Sequence, residues 1–202
     1  IIDGVQYLHG CEYTVMADRI AATTFMSAAA VTGSHITLKD IVPSHLESVL
    51  PIFEEAGCSY HLKGDALSIT GPKRLQPLKL VRTMPYPGFP TDAQAPVMAM
   101  AALAAGTSVF VETFFESRYK HVCELTRLGA KIKVEGRVAI IEGVPKFYGT
   151  SGCAAELRGA AALVVAGLAA EGKTSVYGLN YLDRGYEKIE VSLSQLGANI
   201  IR

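Results

Sequence analysis

The chain repeats itself, and that repetition constrains its fold more than any single motif. Three times an acidic residue precedes an Ala-rich helical stretch: "ADRIAATTFMSAAAVTGS", "TDAQAPVMAMAALAAGTS" and "AELRGAAALVVAGLAAEGKTS". Those acids are Asp18, Asp92 and Glu156, 74 and 64 residues apart. Gly33, Gly106 and Gly172 follow the three stretches and predict their C-terminal stops. A β-branched run comes next ("HITLKDI", "SVFVETFF", "TSVYGL"), then a second amphipathic helix closing on "EEAGCSY", "TRLGAKI" or "SQLGANI". In the first two copies a hairpin-like pair follows, "GCSYHLKGDALSIT" and "AKIKVEGRVAIIEG"; the third reaches Arg202 where its pair would begin. Each unit therefore reads helix–strand–helix–strand–strand.

Three such units about a pseudo-threefold axis predict an α/β fold turned inside out, an α/β barrel with buried helices and outer sheets. Alternating α and β alone would also permit an open sheet. The apolar runs 95–106 and 159–172 fall short of the roughly 20 residues a membrane span needs, and their mixture of small and large apolar residues predicts helices buried on most sides. The opening "IIDGVQYLHGCEYTVMA" lacks an initiator Met and starts in apparent mid-strand. It reads as the tail end of an opposite, front domain, so residues 1–17 are assigned to that domain and 18–202 to the barrel domain.

Lys plus Arg and Asp plus Glu number 19 each, so no global charge favours nucleic acid or a membrane surface. Electrostatic function must be local, and the helix starts are where it concentrates. A helix N-terminus carries about half a positive charge and presents free N–H groups. Acids there are ordinary caps; arginines there oppose the dipole. Yet Arg19 follows Asp18, Arg158 lies two residues after Glu156, and Arg118 and Arg184 precede or begin second helices. Either their sequence neighbours Asp18, Glu156, Glu116 and Asp183 neutralise them, or they line an anion-binding cleft.

Asp92 stands apart. "PYPGFPTD" stiffens the chain before it and no arginine adjoins it. It reads equally as a helix cap or as a carboxylate free to take a proton from a substrate hydroxyl. His121 is expected on a solvated helix face, Met98 and Met100 inside a buried helix. The remaining histidines show no ligand spacing, and "GTSGC" lacks the Walker pattern. Cys11, Cys58, Cys123 and Cys153 are scattered and read as reduced thiols of a cytoplasmic protein.

"FPTDAQA", "FFESRYKHVCELTRLGA", "ELRGAAALVVAGLAAEG" and "LDRGYEKIEVSLSQLGANI" together resemble the bacterial UDP-N-acetylglucosamine 1-carboxyvinyltransferase family, in order, across nearly all 202 residues. The resemblance implies an inside-out α/β barrel facing a second domain across a cleft, and transfer of the enolpyruvyl group of phosphoenolpyruvate to UDP-N-acetylglucosamine in peptidoglycan synthesis. It implies no metal and no organic cofactor. Asp92 matches the acid at the sugar 3-hydroxyl, with a part in proton transfer, and Arg184 the arginine that engages the phosphoenolpyruvate carboxylate. Thr91, Phe114 and Phe115 would line the nucleotide-sugar site. Arg118, Arg158, Glu156, Asp18 and Arg19 fall in the matching motifs around the cleft, Glu156 standing where the family usually carries Asp. The family's loop nucleophile belongs to the opposite domain. The related enolpyruvylshikimate phosphate synthases, and a non-catalytic half that only binds sugar nucleotide, are the alternatives.

Overall fold

A computed structural model describes all 202 residues. The first unit comprises α1 (Arg19–Thr32), β1 (His35–Leu38), α2 (Leu50–Glu55), β2 (Ser59–Lys63) and β3 (Ala66–Thr70). A short β4 (Val81–Arg82) leads to the second: α3 (Gln94–Ala101), β5 (Thr107–Val111), α4 (Val122–Arg127), β6 (Lys131–Glu135) and β7 (Val138–Glu142). After β8 (Phe147–Tyr148) and β9 (Ser151–Cys153) the third holds α5 (Leu157–Leu168), β10 (Ala170–Glu171), β11 (Ser175–Tyr177), α6 (Leu179–Leu182) and α7 (Ile189–Gln195).

The units match in hydrogen bonding as well as in order. β3 lies between β1 and β2, antiparallel to both, and β7 lies likewise between β5 and β6. β4 runs parallel to β5 as β9 runs parallel to β11. The second helices end alike: the N–H groups of Gly57, Gly129 and Gly197 donate to Glu54, Thr126 and Ser194, and those of Cys58, Ala130 and Ala198 to Phe53, Leu125 and Leu193. This paired closure requires left-handed backbone at the glycine, and φ is +91°, +106° and +97° at the three positions.

The Ala-rich helices α1, α3 and α5 pack on one another pairwise. Every residue of α3 is buried, as is the run Gly159–Ala166 of α5, so these helices have no solvent face. One contiguous core of 52 residues joins them to the inner faces of the sheets, with Phe53, Phe110 and Phe147 wholly buried. The expected helices-inside arrangement is therefore present. The four sheets remain separate, and no continuous β-barrel closes around the core. No helix is long and apolar enough to cross a membrane.

Two local expectations need correction. Only Gly33 stops its helix directly, at φ +63°, its N–H donating to Ala29 and Ala30. α3 ends five residues before Gly106 and α5 four before Gly172. In the second unit Leu103 and Ala104 bond back to Met100 and Ala101 in tighter turns that end the helix without glycine. Likewise only Asp18 caps, accepting from Ile20 N at 2.7 Å; the side chains of Asp92 and Glu156 cap nothing.

Candidate active site

The reach of Asp92 is set by the loop before it. Met84 N donates to Phe89 O and Gly88 N to Pro85 O, folding 84–89 into a tight turn that includes a cis Tyr86–Pro87 bond. Pro90 is extended and Thr91–Ala93 form one 3-10 turn, so the carboxylate of Asp92 is thrown clear of the helix end. Arg118 Nη2 donates to its Oδ1 at 2.5 Å, and Arg158 donates to Oδ2 from Nη2 at 3.1 Å and from Nε at 3.3 Å. The expectation of an unpaired Asp92 is thus overturned. Its partners come from positions 26 and 66 residues away, which adjacency in sequence does not disclose.

Arg158 also donates to the Tyr186 hydroxyl at 3.3 Å, and that hydroxyl lies 2.7 Å from Thr24 Oγ1. Thr24 already donates to Ile20 O, so Tyr186 is the donor to Thr24 and the acceptor from Arg158. Through this chain the N-terminal ends of α1, α3 and α5 meet at one pole. Burial alone would lower the Arg158 pKa, but Tyr186 and Asp92 together hold it above its ordinary value, so the guanidinium stays charged. Burial raises the Tyr186 phenol against the opposing pull of Thr24 and Arg158, keeping its proton. With Asp92 43% exposed, its ion pairs are partly screened, each worth about 1 kcal/mol or less to folding. They are a weak brace for the fold and a ready arrangement for a ligand.

Beside Asp92 opens a cavity of about 370 Å³, lined among others by Arg19, Tyr86, Thr91, Phe114 and Phe115. Arg19 and Arg118 lie over the rings of Tyr86 and Phe115, at 5.6 and 5.1 Å from the centroids. Arg19 pairs with no carboxylate, its neighbour Asp18 being occupied as a cap. A larger cavity of about 1010 Å³ lies elsewhere, between α1, α5 and the C-terminal stretch, among Phe25, Leu163 and Leu193; it holds none of the predicted site residues.

The residue that sequence reading missed is Glu112, just past β5. It is buried, and its Oε2 accepts from Thr91 Oγ1 (2.9 Å) and Gln94 Nε2 (3.0 Å), while Oε1 accepts from the N–H groups of Phe114 (2.8 Å) and Phe115 (3.3 Å). One carboxylate thereby ties both walls of the cavity. Thr91 lines the cavity as expected, with its hydroxyl turned to Glu112.

The remaining expectations divide. Sequence neighbours do not neutralise the arginines: Asp183 is held by Arg202 at 2.8 and 2.6 Å, which lowers its pKa, and Glu116 lies 3.7 Å from Arg137. Arg184 is exposed and without a carboxylate partner. It does not line the cavity, but a Cβ on the adjoining Gly185 would lie 3.3 Å from Arg158 Nη1. His121, expected to be solvated, is buried, 3.5 Å from Glu156 Oε1. α4 begins only after it, and the turn that carries it faces α5 rather than solvent.

The family model of EPSP synthase (3-phosphoshikimate 1-carboxyvinyltransferase) matches residues 1–193. The chain is 46% identical over 202 residues to UDP-N-acetylglucosamine 1-carboxyvinyltransferase 2 of Caldanaerobacter subterraneus subsp. tengcongensis, covering all of this chain and 48% of that protein. It is 46% identical over 201 residues to the UDP-N-acetylglucosamine 1-carboxyvinyltransferase of Prochlorococcus marinus, covering 46% of that protein. The chain thus spans about half the length of these relatives. Among solved structures, the enolpyruvyl transferase NikO from Streptomyces tendae superposes with a TM-score of 0.83 at 26% identity, over 93% of this chain and 44% of that one. EPSP synthase from Acinetobacter baumannii shares the fold at a TM-score of 0.72 and 20% identity, over 93% of this chain and 48% of that one. With the matched phrases, the helices-inside fold and this similarity over its full extent, the chain belongs to the EPSP synthase (3-phosphoshikimate 1-carboxyvinyltransferase) family, beside relatives named UDP-N-acetylglucosamine 1-carboxyvinyltransferase.

Proposed function

We propose that this chain forms one half of a two-domain cytoplasmic enzyme that transfers the enolpyruvyl group of phosphoenolpyruvate to the 3-hydroxyl of UDP-N-acetylglucosamine, releasing phosphate at the entry to peptidoglycan synthesis. The observation that carries it is Asp92, held by two guanidiniums beside a cavity with aromatic walls. The sugar oxygen attacks the carbon of phosphoenolpyruvate that bears phosphate as the neighbouring methylene gains a proton. Loss of phosphate and of a methyl proton then restores the vinyl ether. Asp92 accepts the hydrogen bond of the 3-hydroxyl and relays its proton, while Arg118 and Arg158 keep the carboxylate aimed. Arg184, with no carboxylate partner, takes the carboxylate of phosphoenolpyruvate. The front domain completes the cleft, and closure excludes water. The level of identity to relatives with the UDP-N-acetylglucosamine name favours this acceptor over a shikimate phosphate.

The test is phosphate release by the complete polypeptide, offered UDP-N-acetylglucosamine or shikimate 3-phosphate with phosphoenolpyruvate. Turnover with the sugar nucleotide alone is expected, and Asp92→Ala should lower it by about 10²–10⁴-fold with the fold intact. Arg184→Ala should weaken phosphoenolpyruvate use more than sugar-nucleotide binding. Preference for the shikimate substrate, or near-normal turnover by Asp92→Ala, overturns the reading.

A further inference from the structure

A buried histidine with no hydrogen bond at either ring nitrogen is an anomaly, since buried polar groups are almost always paired. His121 is such a residue: its side chain is 1% exposed and neither Nδ1 nor Nε2 has a partner. Nδ1 faces Glu156 Oε1 at 3.5 Å, within reach of an ion pair but too long for a hydrogen bond. Glu156 makes no other side-chain contact of this kind; it leaves the start of α5 uncapped and turns toward the imidazole instead. The approach is built in by Gly159, where a Cβ would lie 3.0 Å from His121 Cβ and 3.1 Å from Glu156 Cγ.

The two residues sit on segments already joined through the site. Arg118 lies three residues before His121 and Arg158 two after Glu156, and both bond Asp92. A carboxylate selects the tautomer that offers it a proton, here Nδ1–H. A contraction of about half an ångström makes that contact a charge-assisted hydrogen bond.

We propose that His121 is a positioning residue: its Nδ1–H holds the Glu156 carboxylate at the start of α5, two residues before Arg158, so that Glu156 can accept a hydrogen bond from a hydroxyl of the bound sugar nucleotide. The ligand assignment rests on the transfer reading above; the contact between the two residues does not.

Two measurements test it. Side-chain nitrogen-15 NMR of the wild-type chain should find the His121 proton on Nδ1, and Glu156→Ala should shift that proton toward Nε2. A proton on Nε2 in the wild type, or a pattern indifferent to Glu156→Ala, overturns the contact. In the complete polypeptide, His121→Phe keeps the ring volume but cannot donate. It should raise KM for UDP-N-acetylglucosamine about tenfold with kcat within about threefold. His121→Asn, whose amide nitrogen falls near the Nδ1 position, should restore KM to within about threefold. An unchanged KM in His121→Phe, or Asn as impaired as Phe, overturns the positioning role. A wild type inert toward these substrates would instead defeat the transfer reading, and the NMR result would then decide the His121–Glu156 contact by itself.

Discussion

Glu112 joins the two walls of the cavity without lining it, its four donors coming from Thr91 and Gln94 on one side and Phe114 and Phe115 on the other. Removing the carboxylate leaves all four donors without their acceptor, the Gln94 amide in a buried place. Glu112→Ala should therefore lower the unfolding free energy by about 3 kcal/mol, read from the urea midpoint, and Glu112→Gln by less, since an amide keeps one acceptor. Tyr119 lies nearby, its hydroxyl within reach of the Phe110 and Arg137 carbonyls at 3.3 and 3.0 Å. Burial, then the charge of Glu112, push its pKa from 10.0 up to about 12. A raised phenol pKa favours the folded state while the unfolded phenol is still protonated. That contribution is complete below pH 10 and lost as pH climbs toward 12. Urea midpoints measured from pH 9 to 12 should fall more steeply in the wild type than in Tyr119→Phe. None of this was legible in the sequence. Glu112 sits in "VETFF" as one more acid in a strand-like run, and nothing local marks it as buried or as facing Thr91. Asp92 was legible because its own loop singles it out, whereas its two arginines lie on other elements.

At the scale of elements the sequence was far more open to reading. The closing phrase of each unit encodes a local event: a helix end, a left-handed glycine and a buried apolar residue four positions before it. Such events need no knowledge of the rest of the fold, and all three copies formed. Gly129 is the clearest case. A Cβ there would meet only Tyr148 Cδ2 at 3.6 Å, ordinary contact, so the cost of Gly129→Ala is the backbone's alone. It should be about 1–2 kcal/mol by thermal or urea unfolding. Gly106 and Gly172 misled because tight turns end a helix without glycine: Leu103 and Ala104 bond back to Met100 and Ala101, and Ala169 to Ala166. Ala105 N donates to Leu75 O, outside its own unit.

For the whole molecule, mutual packing of α1, α3 and α5 means that no unit buries its apolar helix alone. The three helices should resist hydrogen exchange together, near the free energy of global unfolding. α5 opening well before α1 and α3 would contradict this account of the core. The pseudo-threefold plan could be read from the chain because the repeat is long and its punctuation regular. The separation of the sheets could not, since it depends on which strand edges meet.

The two guanidiniums clasping Asp92 have a consequence for selectivity. One carboxylate between two guanidiniums leaves the site a net positive charge, to which Arg19 on the cavity wall adds. That charge attracts every phosphorylated visitor alike, so discrimination among them passes to contour: the Phe114 and Phe115 rim, the Tyr86 ring and the width that Glu112 fixes between them. Rising ionic strength should accordingly loosen the hold on all such visitors to a similar degree, leaving the order of preference among them unchanged.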